Sequence, residues 1–231
     1  MLLVQEWVEG PETELYSCNA YFDDGEPLVT FVAKKLRQWP PGIGTSASGV
    51  ECRNDEVLET TLRLFGELGW RGLAYLEMKR DERSGRLMII EPNVGRPTGR
   101  SAIAEAGGVE LVYTAYRHAL GLPLPQARTQ RYGDAKWIDV RRDAQAAVVA
   151  ARNGGPSLMQ WARWLPGSKA HAIWSSQDPA PFLADIAQAT GTGFRMAAGR
   201  AGARLGRGPL NTAGGEPALA VGRSPDLAGT D

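Results

Sequence analysis

Leu73-Ala-Tyr-Leu-Glu-Met-Lys79, Arg80-Asp-Glu-Arg-Ser-Gly-Arg86 and Leu87-Met-Ile-Ile-Glu-Pro-Asn93 run on without a break. The first and third read as apolar strands, and the polar turn between them lets the two pair as antiparallel neighbours. Each strand carries one carboxylate, Glu77 and Glu91, and Asn93 follows the second by two residues. Three hard oxygen donors on one sheet face are the set that Mg²⁺ prefers when it also holds phosphate oxygens. Glu91 interrupts an otherwise apolar run, where a carboxylate without a partner is costly. The pattern therefore predicts a site for Mg-nucleotide chemistry, with Glu77, Glu91 and Asn93 as metal ligands.

The rest of the chain frames that hairpin. With 231 residues and 43% hydrophobic content it can bury one sizeable core and a small second one. Lys+Arg and Asp+Glu are 26 each, so no global field points to nucleic acid or an anionic membrane. The two cysteines, Cys18 and Cys52, lack the spacing of a zinc site and read as reduced thiols. The opening residues lack the basic region of a signal peptide, and no uncharged run approaches the roughly 18 residues of a membrane span. The expectation is a soluble, cytoplasmic protein.

Leu2–Val8 reads as a strand broken by Gly10-Pro11. Glu14–Phe22 and Leu28–Lys35 read as a hairpin around Asp23-Asp-Gly-Glu-Pro27. Residues 37–49 are rich in Gly, Pro and Ser and read as a loop. Asn54 caps a predicted helix running to about Leu68, with Gly69 at its end. Helices are predicted over Ser101–Ala106 and Val109–Leu120, and a boundary near Pro123. Beyond it come a short strand around Trp137–Val140 and helices over Ala144–Ala151, Ser157–Trp164 and Pro181–Ala189, each too small to hold a core alone. The Ala/Gly/Arg-rich residues 193–231 read as a disordered, solvated tail. Taken together, the pattern predicts an α+β fold: an antiparallel sheet with flanking helices over 2–122, a small helical appendage over 123–192, and the tail.

In this order the pieces resemble the C-terminal half of an ATP-grasp domain, in the carboxylate-amine ligase branch of that superfamily. Gln5-Glu-Trp-Val-Glu-Gly-Pro-Glu12 looks like the hinge beside the adenine, and Ile90-Glu-Pro-Asn-Val-Gly-Arg96 like the second metal-binding strand and its following loop. The resemblance covers about residues 2–122. It implies backbone contacts from Glu6 and Val8 to the adenine edge, apolar cover from Trp7 and Val8, and a ribose contact from Glu12. It also implies phosphate contacts from Lys35 and Arg37. Only one of Lys34 and Lys35 can face a cleft, and Lys35 is preferred because alternation puts it on the face of Arg37. Arg96 would meet the transferring phosphoryl group or the acceptor carboxylate, with Arg100 as its substitute; the arginine stands one residue later than in the commoner Glu-x-Asn-Pro-Arg pattern. His118 and His171 receive no catalytic role.

What the resemblance implies is an ATP-binding ligase with Mg²⁺, or Mn²⁺ in its place, that activates a small carboxylate as an acyl phosphate for attack by an amine. A clamp of this kind has a second side, so the expectation is a truncated ligase, or one completed by a partner chain or a second copy. The alternatives are a non-catalytic nucleotide-binding or scaffold domain of the same fold, and an α+β interaction module in which the hairpin is only structural.

Overall fold

Asp24 and Gly25 fix the first hairpin, both at positive φ (52° and 82°), as a two-residue turn between twisted strands requires. A Cβ on Gly25 would fall 2.8 Å from the Gly66 carbonyl oxygen, so the turn is glycine for space as well as for conformation. The computed structural model describes residues 4–95 and 101–190. After a one-turn 3₁₀ helix at Glu12–Glu14 come β1 (Leu15–Asp23), β2 (Glu26–Trp39), β3 (Thr45–Glu51), α1 (Asp55–Glu67), β4 (Gly72–Arg80) and β5 (Leu87–Val94). There follow α2 (Ala102–Ala106), α3 (Leu111–Ala119), β6 (Lys136–Ile138), α4 (Val140–Arg152), α5 (Leu158–Trp164) and β7 (Lys169–His171). The fold is α+β, one seven-stranded sheet in the order β5-β4-β1-β2-β3-β6-β7 with helices packed against it.

Two apolar clusters lie on opposite faces of this sheet. Strand alternation sends Cys18, Ala20, Phe22, Val32, Leu76 and Met78 to one face, where they meet Val57 and Phe65 of α1. Tyr21, Val29, Phe31 and Ala33 take the other face and pack with Ile103, Val109 and Leu111 around α2 and α3, and with Trp137 of β6. α1 begins as its sequence predicts: the Asn54 side chain accepts from the Val57 backbone N–H at 3.2 Å. Asn54→Ala is expected to cost about 1 kcal/mol, read as a shift of the urea midpoint with the slope unchanged. Burial pushes the Cys18 thiol up to about 12 and Cys52 to about 11, so both stay protonated at neutral pH.

Three expectations need correction. Residues 37–49 are not one loop: β2 continues to Trp39, only residues 40–44 turn, and β3 starts at Thr45. The small residues Ser46, Ala47, Ser48 and Gly49 mimic a loop in composition, yet they form an inner strand because β2 and β6 pair with both its edges. Residues 4–9 carry no strand pairing; they are held by Gln5 Nε2 donating to the Ile90 carbonyl, Lys79 Nζ to the Val8 carbonyl and the Glu82 backbone N–H to the Glu9 carbonyl. Lastly, the sheet is not wholly antiparallel. Segment 123–192 adds β6 and the unanticipated β7, and these two pair in parallel.

Residues 1–183 form one compact unit; the described part of the second, 184–190, is helical. The predicted tail over 193–231 lies outside the described residues. No helix among them is long and apolar enough to cross a membrane.

Candidate functional site

Register decides what can meet on the sheet. Glu77 of β4 stands directly opposite Glu91 of β5, and Tyr75 opposite Asn93. Directly opposed residues share a face with their Cβ atoms about 5 Å apart, so Glu77, Glu91 and Asn93 lie on one side. This depends on a β-bulge. Met78 pairs with Ile89 and Glu77 with Glu91, which leaves Ile90 as the extra residue. Regular alternation would have sent Glu91 to the side of Ile89 and α1; the bulge turns it to the other.

On that face three rows of side chains run across β4, β1 and β2, spaced about 7 Å along the strands. The first holds Lys79 opposite Leu15, with Lys35 on the neighbouring strand. The second, with Glu91, holds Glu77, Ser17 and Ala33, and the third, with Asn93, holds Tyr75, Asn19 and Phe31. Beyond the first row opens a cleft of about 570 Å³, lined by residues that include Glu6, Trp7, Val8, Glu12, Gln38 and Lys79. Residues 5–8, Glu12 and the strand carboxylates therefore stand along one path on one face, with Lys35 between them.

Glu12 is half-buried, and its Oε2 has no hydrogen-bond partner. Burial raises its carboxyl above the usual carboxylate range, against the pull of Lys35, the Gln38 backbone N–H and Arg37. Because the folded value is raised, the stability this group contributes is full at acidic pH and is lost as pH rises through that value. Such a carboxylate suits a ligand with hydroxyl donors. Asn93 likewise has a buried Nδ2 without a partner. Among the described residues no group of three His, Cys, Asp or Glu side chains could hold a metal. A cation here would rest on two carboxylates and an amide, a hard-oxygen set that fits Mg²⁺ with phosphate completing its shell.

Lys35 is buried, and its Nζ donates to Gln38 Oε1 at 3.0 Å. Arg37 does not share its face. Lys35 pairs with Gly49 but Arg37 with Ser48, so the irregularity at Leu36 reverses the alternation. Arg37 turns to α4, where Nε and Nη2 meet the two Asp143 oxygens at 2.6 and 2.9 Å. Arg96 and Arg100 lie outside the described residues.

Lys79, Gln38 and Trp137 were not anticipated. Lys79 follows Glu77 by two, so alternation alone could have found it; its ammonium donates to the Val8 carbonyl and lies 5.5 Å from the Trp7 ring centre. Trp137 had no local signal, because its place depends on β6 pairing with Gly49.

No family model and no curated protein matches the chain. Solved structures do match in part. One is the phosphoribosylaminoimidazole carboxylase ATPase subunit from Aquifex aeolicus, at 19% identity and TM-score 0.40, over 48% of this chain and 35% of that one. A second is N5-carboxyaminoimidazole synthase from Aspergillus clavatus, solved with ADP, at 15% identity and TM-score 0.41, over 54% and 34%. A third is an L-amino acid ligase from Bacillus licheniformis, at 18% identity and TM-score 0.38, over 52% and 32%. The chain is thus similar, over about half its length, to about a third of each of these enzymes.

Proposed function

We propose that this chain binds Mg-ATP in the manner of an ATP-grasp carboxylate-amine ligase and activates a small carboxylate as its acyl phosphate for attack by an amine. The observation that carries the reading is the bulge at Ile90, which puts Glu91 beside Glu77 on the face that leads to the hinge cleft. Glu6 and Val8 offer backbone groups to the adenine edge, and Trp7 and Val8 cover the base. Glu12 accepts from the ribose hydroxyls, an acceptor-only task that suits a carboxylate. Lys35 meets phosphate oxygens as a point charge. Glu77, Glu91 and Asn93 hold the cation. Bound there, Mg²⁺, or Mn²⁺ on the same oxygen donors, neutralises charge on the phosphate oxygens. Arg96, or Arg100, takes the transferring phosphoryl group or the acceptor carboxylate.

The described residues supply one wall of the nucleotide cleft. We assign the facing wall to other parts of the full protein, a partner chain or a second copy. An enzyme of this class draws on the cytoplasmic nucleotide pool, and we place the protein there.

Titrating the full chain with a fluorescent ATP analogue, with and without Mg²⁺, tests the reading. Saturable binding that needs Mg²⁺ is expected, and no binding in either condition overturns it. Glu12→Gln should weaken binding about tenfold, the worth of a hydrogen bond to a charged group. The ribose contact needs the ionised carboxylate. Affinity in the parent protein should therefore fall as pH drops through the raised Glu12 value, while the glutamine variant shows no such step.

A further inference from the structure

A second, smaller pocket lies on the same sheet face, and the nucleotide reading uses only Lys35 of its lining. Ser17, Asn19, Lys35, Ser46, Gly49, Ile103 and Trp137 line a space of about 20 Å³. That is room for an oxygen or two, since one water needs roughly 10–15 Å³. The pocket begins beside the carboxylate pair, because Ser17 stands directly opposite Glu77. Gly49 opens it: this residue pairs with Lys35 on one side and Trp137 on the other, so no side chain separates ammonium from indole. A Cβ at Gly49 would come within 3.1 Å of the Lys34 carbonyl oxygen.

The lining is unusually rich in donors for so small a space. Lys35 brings a buried positive charge, and Ser17 and Ser46 bring hydroxyls that are also buried. Trp137 is 7% exposed, and its Nε1 is buried without a hydrogen-bond partner. An indole N–H can only donate, and leaving one unpaired in the interior is costly. The indole N–H is thus the open donor of this lining, and Lys35, which also pulls on Glu12, adds positive charge to the same pocket, so that an anionic acceptor is favoured there. The Asn19 amide is already oriented on this wall, with its Oδ1 accepting from Ser101 Oγ at 3.4 Å.

The geometry points to this pocket as the subsite that takes one or two oxygens of the anionic group of the second substrate, a carboxylate or a phosphate, held by Lys35 Nζ, the Ser17 and Ser46 hydroxyls and Trp137 Nε1. Trp137 is then a specificity-determining residue, contributed by β6 from outside the segment that carries the hinge and the carboxylates. Placed there, the substrate's anionic end sits next to the Glu77 row and leaves its reacting end at the phosphates. Oxyanion binding stands alone, but its assignment to an acceptor substrate rests on the Mg-ATP reading.

The test follows the Trp137 indole N–H resonance in the ¹⁵N-labelled full chain, identified by its loss in Trp137→Phe. Sodium acetate and inorganic phosphate are titrated separately at constant ionic strength, with and without Mg²⁺ and a non-hydrolysable ATP analogue. A saturable shift is expected, and whether acetate or phosphate produces it tells carboxylate from phosphate. Lys35→Met should weaken it about tenfold, as loss of a charged partner implies. No shift with either anion, the same shift with sodium chloride, or a shift unaltered by Lys35→Met overturns the subsite. If the analogue alone shifts the indole and blocks both anions, the acceptor assignment falls, because the triphosphate fills the pocket. Anion response without analogue binding sinks the Mg-ATP reading and leaves the subsite; analogue binding with a silent indole does the reverse.

Discussion

Glu91→Gln is expected to lower Mg-dependent ATP affinity about 100-fold, close to 2.7 kcal/mol, while Glu82→Gln changes it by no more than about twofold, the range of an ordinary surface substitution. The contrast follows from position. Glu82 is exposed in the turn after β4, and Glu91 pairs with Glu77 across the ladder. Two carboxylates directly opposed on one face repel, which destabilises the unliganded sheet by about 0.2–1 kcal/mol. A cation held between them turns that repulsion into attraction. The same substitution should therefore raise the stability of the metal-free protein slightly while it removes Mg²⁺ dependence, and urea unfolding with and without Mg²⁺ reads both signs together. If Glu91→Gln and Glu82→Gln have equal effects on ATP binding, the pair is not a metal site.

The hairpin and α1 were legible because local chemistry specifies them: a polar turn with Gly85, positive-φ residues at 24 and 25, and an Asn54 cap. What alternation could not show is where it breaks. Period-two reasoning puts Glu91 on the face of Ile89 and Arg37 on the face of Lys35, and a bulge reverses each of these. In the first case the reversal brings the expected ligands together. In the second it sends an expected phosphate contact to the far side of the sheet. β3 escaped notice for a different reason. Its burial comes from neighbours distant in sequence, so small polar residues suffice and no apolar pattern marks it. Trp137 belongs with it, since only the β3–β6 register brings that indole to Lys35.

Asp143→Ala is expected to destabilise the protein by about 3–5 kcal/mol, the cost of breaking a buried ion pair from one side. The Asp143 side chain is fully buried. It accepts two hydrogen bonds from Arg37, one from Trp161 Nε1 at 2.7 Å and one from the Ser48 hydroxyl. The Arg37 guanidinium also lies 4.9 Å from the Trp164 ring centre. One carboxylate thus joins β2, β3, α4 and α5, and removing it strands a largely buried guanidinium. Replacing both charges, as Arg37→Met with Asp143→Leu, leaves no unpaired ion. The double variant should lose less stability than Asp143→Ala alone, which chemical denaturation of the two proteins would measure. It also separates two roles for Arg37. If the bulge commits this arginine to α4, the double variant keeps Mg-ATP affinity within about threefold, less than 1 kcal/mol. A loss as large as that of Glu91→Gln would instead mean that Arg37 leaves Asp143 to meet the phosphates when nucleotide binds.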